Sequence, residues 1–311
     1  MHELGGEVAA RVATECRLLD ALTAATPGDP GLVRGIGLIL ETLADSPFET
    51  LADYADGAAA SSLFLTAFAP LAESVGDFLT VASLESFTKG ARDRPERTAW
   101  SEGQQAGVRS LAQTILEKPI WPSVVKAAFD EPQQRFSAVR VAQRLGLPYR
   151  DQLIGWLHDE PLKAGWWALL CERPTAGQMD EVLALVDEIL AIDTIRTGLG
   201  QELGIGPGFE RNWCIDHIVY ALRGATNVGD PSTSSGFPGR GETILDAALH
   251  CPVTRTRNGA LAALDRWPNN ALTPRLVASI EGLRADPVPA TRSRAEELLA
   301  KLASGGRRST D

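Results

Sequence analysis

Cys214 and His217 stand three residues apart in one helix-forming stretch, and His250 directly precedes Cys251 in another. Thiolate and imidazole groups at such spacing become zinc ligands when two helices bring them together, because Zn2+ takes sulfur and nitrogen donors in a tetrahedron. Structural sites draw on tighter ligand pairs than these, so the four residues read as ordinary buried or turn-side groups and no metal is expected. A second candidate is the run Gly198-Leu199-Gly200-Gln201-Glu202-Leu203-Gly204-Ile205-Gly206-Pro207-Gly208. A dinucleotide loop follows a strand and spaces its glycines G-x-G-x-x-G. Here the third glycine comes one residue late and a helix precedes it, which predicts a helix end followed by an inter-helix loop.

Six of the seven tryptophans (Trp121, Trp156, Trp166, Trp167, Trp213 and Trp267) lie beyond residue 118. Aromatics at helical spacing usually serve the core. Trp166 and Trp167 are neighbours, however, and point about 100° apart around a helix. Both are therefore not expected in one inter-helix contact, and at least one is expected to face a ligand or the next helical repeat. With Trp213, Asp216 and His217 they form the candidate ligand-binding set. No catalytic residue is assigned. The G-x-S-x-G element of a serine nucleophile is absent, and paired acids such as Asp159-Glu160 fall at turns, where helix capping explains them.

The elements that hold these residues read as helices throughout. Apolar residues recur at helical spacing, strand-like alternation is hard to find, and Pro and Gly punctuate the chain. Near the N-terminus the pattern predicts helices over Glu7–Ala24 and Gly31–Ala44, with a third from Pro47. Segments near 59–73, 76–89 and 101–117 follow. The charged stretch 92–97 divides an N-terminal helical region, 1–95, from a repeat array, 96–303. A tail, 304–311, is expected to be disordered. The loop 229–241, rich in Gly, Pro and Ser, is expected to be mobile.

Four places share one design: a helix, a short Pro-bearing turn, and a second amphipathic helix. The turns are Asp130-Glu131-Pro132, Asp159-Glu160-Pro161, Cys251-Pro252 and Asp286-Pro287. Asp can cap the incoming helix, and Pro suits a first helical turn, whose N–H would have no partner in any case. One such hairpin cannot bury its apolar face alone, so neighbours stack.

Pro287 to Leu302 resembles the second helix of a HEAT repeat, with Asp-Pro at the turn and Ala and Leu on the buried face; Pro252 to Leu264 is similar. The resemblance covers roughly residues 119–303 and implies an all-α solenoid of stacked antiparallel hairpins. Such solenoids bind partner proteins on a concave surface. The pattern departs between Ala176 and Gly241, where Met179–Ile192 and Trp213–Gly224 are split by the glycine-rich run. Gly204-Ile205-Gly206, with Thr254 to Leu261, is also similar to bacterial HEAT-like proteins that carry the label limonene hydroxylase. A hydroxylase needs a haem, a flavin or a metal to activate oxygen; the residues offer no set for one, and no cofactor is expected.

The arginines Arg255, Arg257, Arg266, Arg275, Arg284, Arg292 and Arg294 are expected to brace neighbouring hairpins by bonding carboxylates or helix ends. The alternative is a phosphate-binding face. HEAT-like DNA glycosylases bind DNA with Trp and Asp at the lesion, and Trp213 with Asp216, or Trp156 with Asp159, matches that pairing. The net charge of −10 argues against nucleic acid. That charge is uneven: residues 1–90 hold 13 acids and 4 bases, residues 240–311 hold 8 acids and 11 bases. A basic patch near the C-terminus is therefore compatible with an acidic chain. Cys16, Cys171, Cys214 and Cys251 lie far apart, and neither a secretory signal nor a bilayer-spanning stretch is visible. Reduced thiols in a cytoplasmic protein are the expectation. The expected function is a non-catalytic scaffold for a partner protein. The alternatives are an enzyme with an aromatic cleft within 166–217, or a HEAT-like reader of DNA lesions.

Overall fold

A computed structural model of the chain describes residues 72–93, 101–196, 202–224 and 236–305, together with positions 62, 65, 66 and 69. The helices expected before residue 59 lie outside the described residues. Within them the protein has twelve α-helices and no strand. The chain divides into two compact units, Met1–Tyr149 and Arg150–Asp311.

In the first unit α1 spans Val75–Asp93, α2 Glu102–Leu116, α3 Trp121–Phe129 and α4 Arg135–Leu145. Ser101 and Gln104 form a reciprocal capping box that starts α2. Gly146, at φ 66°, ends α4 in the left-handed conformation that glycine reaches without steric cost. α1 packs on α2 and α4, and α3 packs on α4. Phe78 and Trp121 meet edge to face with centroids 5.1 Å apart, and the indole N–H donates to the Ile115 carbonyl at 2.7 Å. Glu85, on α1, is buried and pairs with Arg144 of α4.

The second unit carries α5 (Arg150–Asp159), α6 (Ala164–Leu170), α7 (Ala176–Ile189), α8 (Glu210–Arg223), α9 (Glu242–Leu249), α10 (Thr254–Leu264), α11 (Pro274–Gly282) and α12 (Pro289–Gly305). A 3₁₀ turn, Ile192–Arg196, follows α7. Each Pro-bearing turn named above separates two helices that touch: α3 and α4, α5 and α6, α9 and α10, α11 and α12. Contacts also run from α6 to α8, from α8 to α10 and from α10 to α12, while α9 meets α11.

Asp286 comes nearest to the expected aspartate cap: its carboxylate accepts from the Val288 N–H at 2.8 Å, one residue ahead of α12. Asp130 instead closes α3 as its C-terminal cap, and neither α4 nor α6 has a side-chain N-cap. The intervening residues place those aspartates too early to reach the next helix's free N–H groups. α11 takes Thr273 for this purpose, whose hydroxyl accepts from Leu276 N.

Buried ions tie successive helices. Asp246, on α9 and 2% exposed, accepts from Ser279 Oγ at 2.6 Å and Arg275 Nη2 at 2.7 Å, both on α11. Arg196 Nη2, at the end of the 3₁₀ turn, reaches the same carboxylate at 2.6 Å. Burial alone would raise this carboxyl's pKa. The hydrogen bonds of Ser279 and Arg275, and the charges of Arg275 and His250, outweigh burial and hold it below the ordinary value. Arg257, on α10, spans from the Cys251 carbonyl (2.7 Å) to the Asp286 carboxylate (2.7 Å). Arg292 donates to the Asp286 carbonyl and Arg266 to that of Gly224. Arg255 (below), Arg257, Arg266 and Arg275 thus reach across to a neighbouring helix pair, as expected, while Arg292 bonds only the turn ahead of its own helix.

The described end of the 229–241 loop corrects the expectation of mobility there. Phe237 N donates to the Leu222 carbonyl, and Arg240 binds the Asp180 carboxylate at 2.7 Å and the Ala176 carbonyl at 2.5 Å. Gly236, at φ 60°, lies so close to α8 that a Cβ would come within 2.4 Å of the Leu222 carbonyl oxygen. At the other end of the chain, Ser304 and Gly305 belong to α12.

Candidate functional site

Residues 202–208 form the described part of the connection from the 3₁₀ turn to α8, and they lie on the start of α10. The Arg255 N–H donates to the Glu202 carbonyl at 3.0 Å. Gly204 takes φ 60°, and a Cβ there would fall 2.8 Å from Val253 Cγ1, so both the backbone and the contact require glycine. The connection's described residues lie between a 3₁₀ turn and α8, with no strand among them.

The connection positions Trp213 on the first turns of α8. The indole N–H donates to the Gly204 carbonyl at 2.8 Å, yet the residue stays 41% exposed. The Arg255 guanidinium lies over the ring, 5.7 Å from its centroid. Arg255 Nε also donates to Asp216 Oδ2 at 2.8 Å, and Thr256 Oγ1 donates to Asp216 Oδ1 at 2.8 Å. The structure therefore brings Trp213, Asp216 and Arg255 into one assembly. His217 adjoins it: burial lowers its pKa, Asp216 opposes that shift, and Arg255 adds to it. Leu203, Ile205 and Tyr220 are exposed by half or more, the first two flanking Gly204. Tyr220 lies two helical turns beyond Trp213, on the same face of α8.

Trp166 and Trp167 belong elsewhere. Both are buried, so of the two roles expected for them, facing a ligand or facing the next helical repeat, neither ring is open for the first. α6 touches both α5 and α8. Trp166 packs on Trp156 of α5 at 5.3 Å and donates to Glu160, while Trp167 donates to the Pro161 carbonyl at 2.8 Å. Cys214 Sγ, from α8, approaches that same carbonyl at 3.9 Å.

The Cys/His group considered for zinc is turned to separate partners. Cys251 Sγ accepts from Asn212 Nδ2 at 2.9 Å and from Val253 N at 3.3 Å, and His250 Nδ1 lies 2.8 Å from the Asp246 carbonyl oxygen. Among the described residues no group of three or more His, Cys, Asp or Glu is placed to hold a metal ion. Desolvation pushes the Cys171 and Cys214 thiols up to about 12 and raises Cys251 as well. All three are poor nucleophiles at neutral pH.

Beside Glu202 an open groove of about 760 Å³ runs along the α9–α10 and α11–α12 turns. Leu249, Pro252, Leu283 and Val288 give it apolar walls, with Glu202 and His250 as polar groups and the Arg257–Asp286 pair among its lining residues. Its volume is that of a ligand or side-chain cleft. Sequence reasoning named Trp213, Asp216 and His217 but missed Leu203, Ile205 and Tyr220. The seven-residue spacing of Trp213 and Tyr220 was the available signal. No family model matches the chain, and neither a curated protein nor a solved structure matches it. The class defined by the fold is all-α; no described helix is long and apolar enough to cross a membrane.

Proposed function

We propose that the C-terminal unit is a stack of HEAT-like helix pairs, and that it acts as a non-catalytic scaffold holding a partner protein in the cytoplasm. The order of contacts supports the stack. Second helices α6, α8, α10 and α12 follow one another, and first helices α9 and α11 do the same. Repeats that contact only their neighbours give this order. The partner lies across the second helices, the concave side of such a stack, and reaches the connection ahead of α8.

The observation that carries the binding role is Trp213. Its ring is held by a hydrogen bond and a stacked guanidinium and remains open to solvent beside Leu203 and Ile205. An aromatic anchor fixed before binding loses little entropy when a partner covers it, which is the physics of interface hot spots. The acid of the assembly is engaged by Arg255 and Thr256, so the site is better built to hold a surface than to transfer a proton. Photo-crosslinking in the native host tests this, with p-benzoylphenylalanine in place of Tyr220. The expected result is an adduct with one defined protein that disappears in Trp213→Ala. Adducts with nucleic acid alone, or no adduct from a folded protein, would overturn the reading.

A further inference from the structure

The groove beside Glu202 joins equivalent places in two successive helix pairs. Pro252 opens the turn before α10 and Pro287 the turn before α12, and both line the groove together with Val288. All three are at least partly exposed, so they offer an apolar surface that a partner can cover. The groove also adjoins the Trp213 assembly. Glu202 lines it, the Glu202 carbonyl receives Arg255 N, and the next residue is the exposed Leu203.

Only two polar side chains of the lining are exposed, Glu202 and His250. The others are buried and engaged. Ser279 donates to Asp246 at 2.6 Å, Thr254 Oγ1 accepts from Arg257 Nη2 at 3.3 Å, and Arg257 pairs with Asp286 at 2.7 Å. The charges of Arg257 and Asp286 cancel. Among the described residues the Glu202 carboxylate has no ion pair or hydrogen bond, so it is the uncompensated fixed charge of the groove.

His250 supplies an independent observation. Its Nδ1 lies 2.8 Å from the Asp246 carbonyl oxygen. A carbonyl only accepts, so Nδ1 carries the proton of that bond, and in the neutral ring Nε2 is left as an acceptor. The side chain is 49% exposed, so the ring is open to a ligand. Both exposed polar groups of the groove are therefore acceptors, and one of them is charged. A cationic donor complements the two together.

We infer that this groove docks an extended segment of the partner protein in which a basic side chain is flanked by apolar ones. The Lys or Arg donates to the Glu202 carboxylate and to His250 Nε2. The flanking apolar side chains cover Pro252, Pro287 and Val288. The inference rests on the scaffold reading and names the chemistry of the partner.

The test is an NMR titration of the full chain, observing the ring nitrogens of His250. The probes are acetyl-Ala-Leu-Arg-Val-Ala-amide, its Gln counterpart, and N-acetylargininamide, which has the cation without the apolar flanks. The Arg peptide should shift the Nε2 resonance and bind more tightly than either of the other two. Glu202→Gln should weaken the Arg peptide by about fivefold, the loss of one exposed ion pair. It should leave the Gln peptide and the melting temperature unchanged, because the Glu202 carbonyl that receives Arg255 is retained. The inference fails if Nε2 does not move by about 10 mM Arg peptide, where millimolar ligands still register. It also fails if the Gln peptide or N-acetylargininamide binds as tightly as the Arg peptide, or if Glu202→Gln binds the Arg peptide as well as wild type. Failure here with the Trp213-dependent crosslink intact removes the groove and leaves the scaffold. A lost crosslink with the peptide shifts intact removes the scaffold alone.

Discussion

Replacing Asp246 by Asn tests whether buried ions hold successive helices together. The substitution keeps the shape of the side chain and removes the charge that receives Arg196, Arg275 and Ser279. Breaking a fully buried pair costs about 3–5 kcal/mol. The guanidiniums here are 32% and 53% exposed and can rehydrate, so that range is an upper bound. Ser279 also has a second acceptor, the Arg275 carbonyl at 3.1 Å. We expect a loss of about 2 kcal/mol, equivalent to a fall of about 4–8 °C in the melting temperature of a unit this size. The pH dependence has a definite sign. The folded carboxyl titrates below its ordinary value of 3.8, so its stabilisation is fully present above that value and is lost as pH falls through the lower folded value. The gap between wild type and Asp246→Asn should therefore stay constant from pH 8 to about 5 and close below about 4. Circular dichroism melts across that range are the assay. A gap of less than about 1 °C at pH 7, or one that widens in acid, would refute the reasoning.

Arg255→Ala removes both the stacked cation and the Asp216 pair, and should cost about 0.5–1.5 kcal/mol in denaturant unfolding while shifting Trp213 emission to longer wavelength. If the emission is unchanged, Arg255 does not cover the ring in solution. Leu298, 3% exposed on α12, should cost roughly 2–5 kcal/mol when truncated to Ala, with hydrogen exchange rising in α11 and α12 but not in residues 150–170. A uniform rise across the unit would mean that its helices unfold together and do not act as repeats. Burial raises the Cys171 and Cys214 thiols to about 12, so they should remain protonated and resist iodoacetamide at pH 8 until the chain is denatured. Rapid alkylation of either in the native protein would contradict their placement.

Local features of the chain were legible because they depend on near neighbours. Helical spacing of apolar residues sets where a helix buries its stripe, and Pro at a turn ends one helix and begins another. Ser101 with Gln104 and Thr273 before Pro274 act within four residues of themselves. The four helix–turn–helix pairs and the span of α2 follow from such terms, as does the inter-helix role of the glycine-rich connection at Gly204.

Tertiary structure decided which charges meet. In the sequence Asp246 is one polar residue between Leu245 and Ala247; in the fold it receives Arg196 from 50 positions earlier and Arg275 from 29 positions later. Arg240 sits in a stretch composed like a mobile loop, yet it is fixed by Asp180, 60 positions away. Trp166 and Trp167 diverge around their helix as geometry requires, and both are buried in a fold where α6 is contacted by both α5 and α8. The opposite holds for Trp213, whose exposure depends on where residues 202–208 come to rest. Periodicity and capping energies act over one or two helical turns and are written in the local sequence. The partner of a buried charge or ring is chosen by the meeting of distant helices, and no local pattern encodes it.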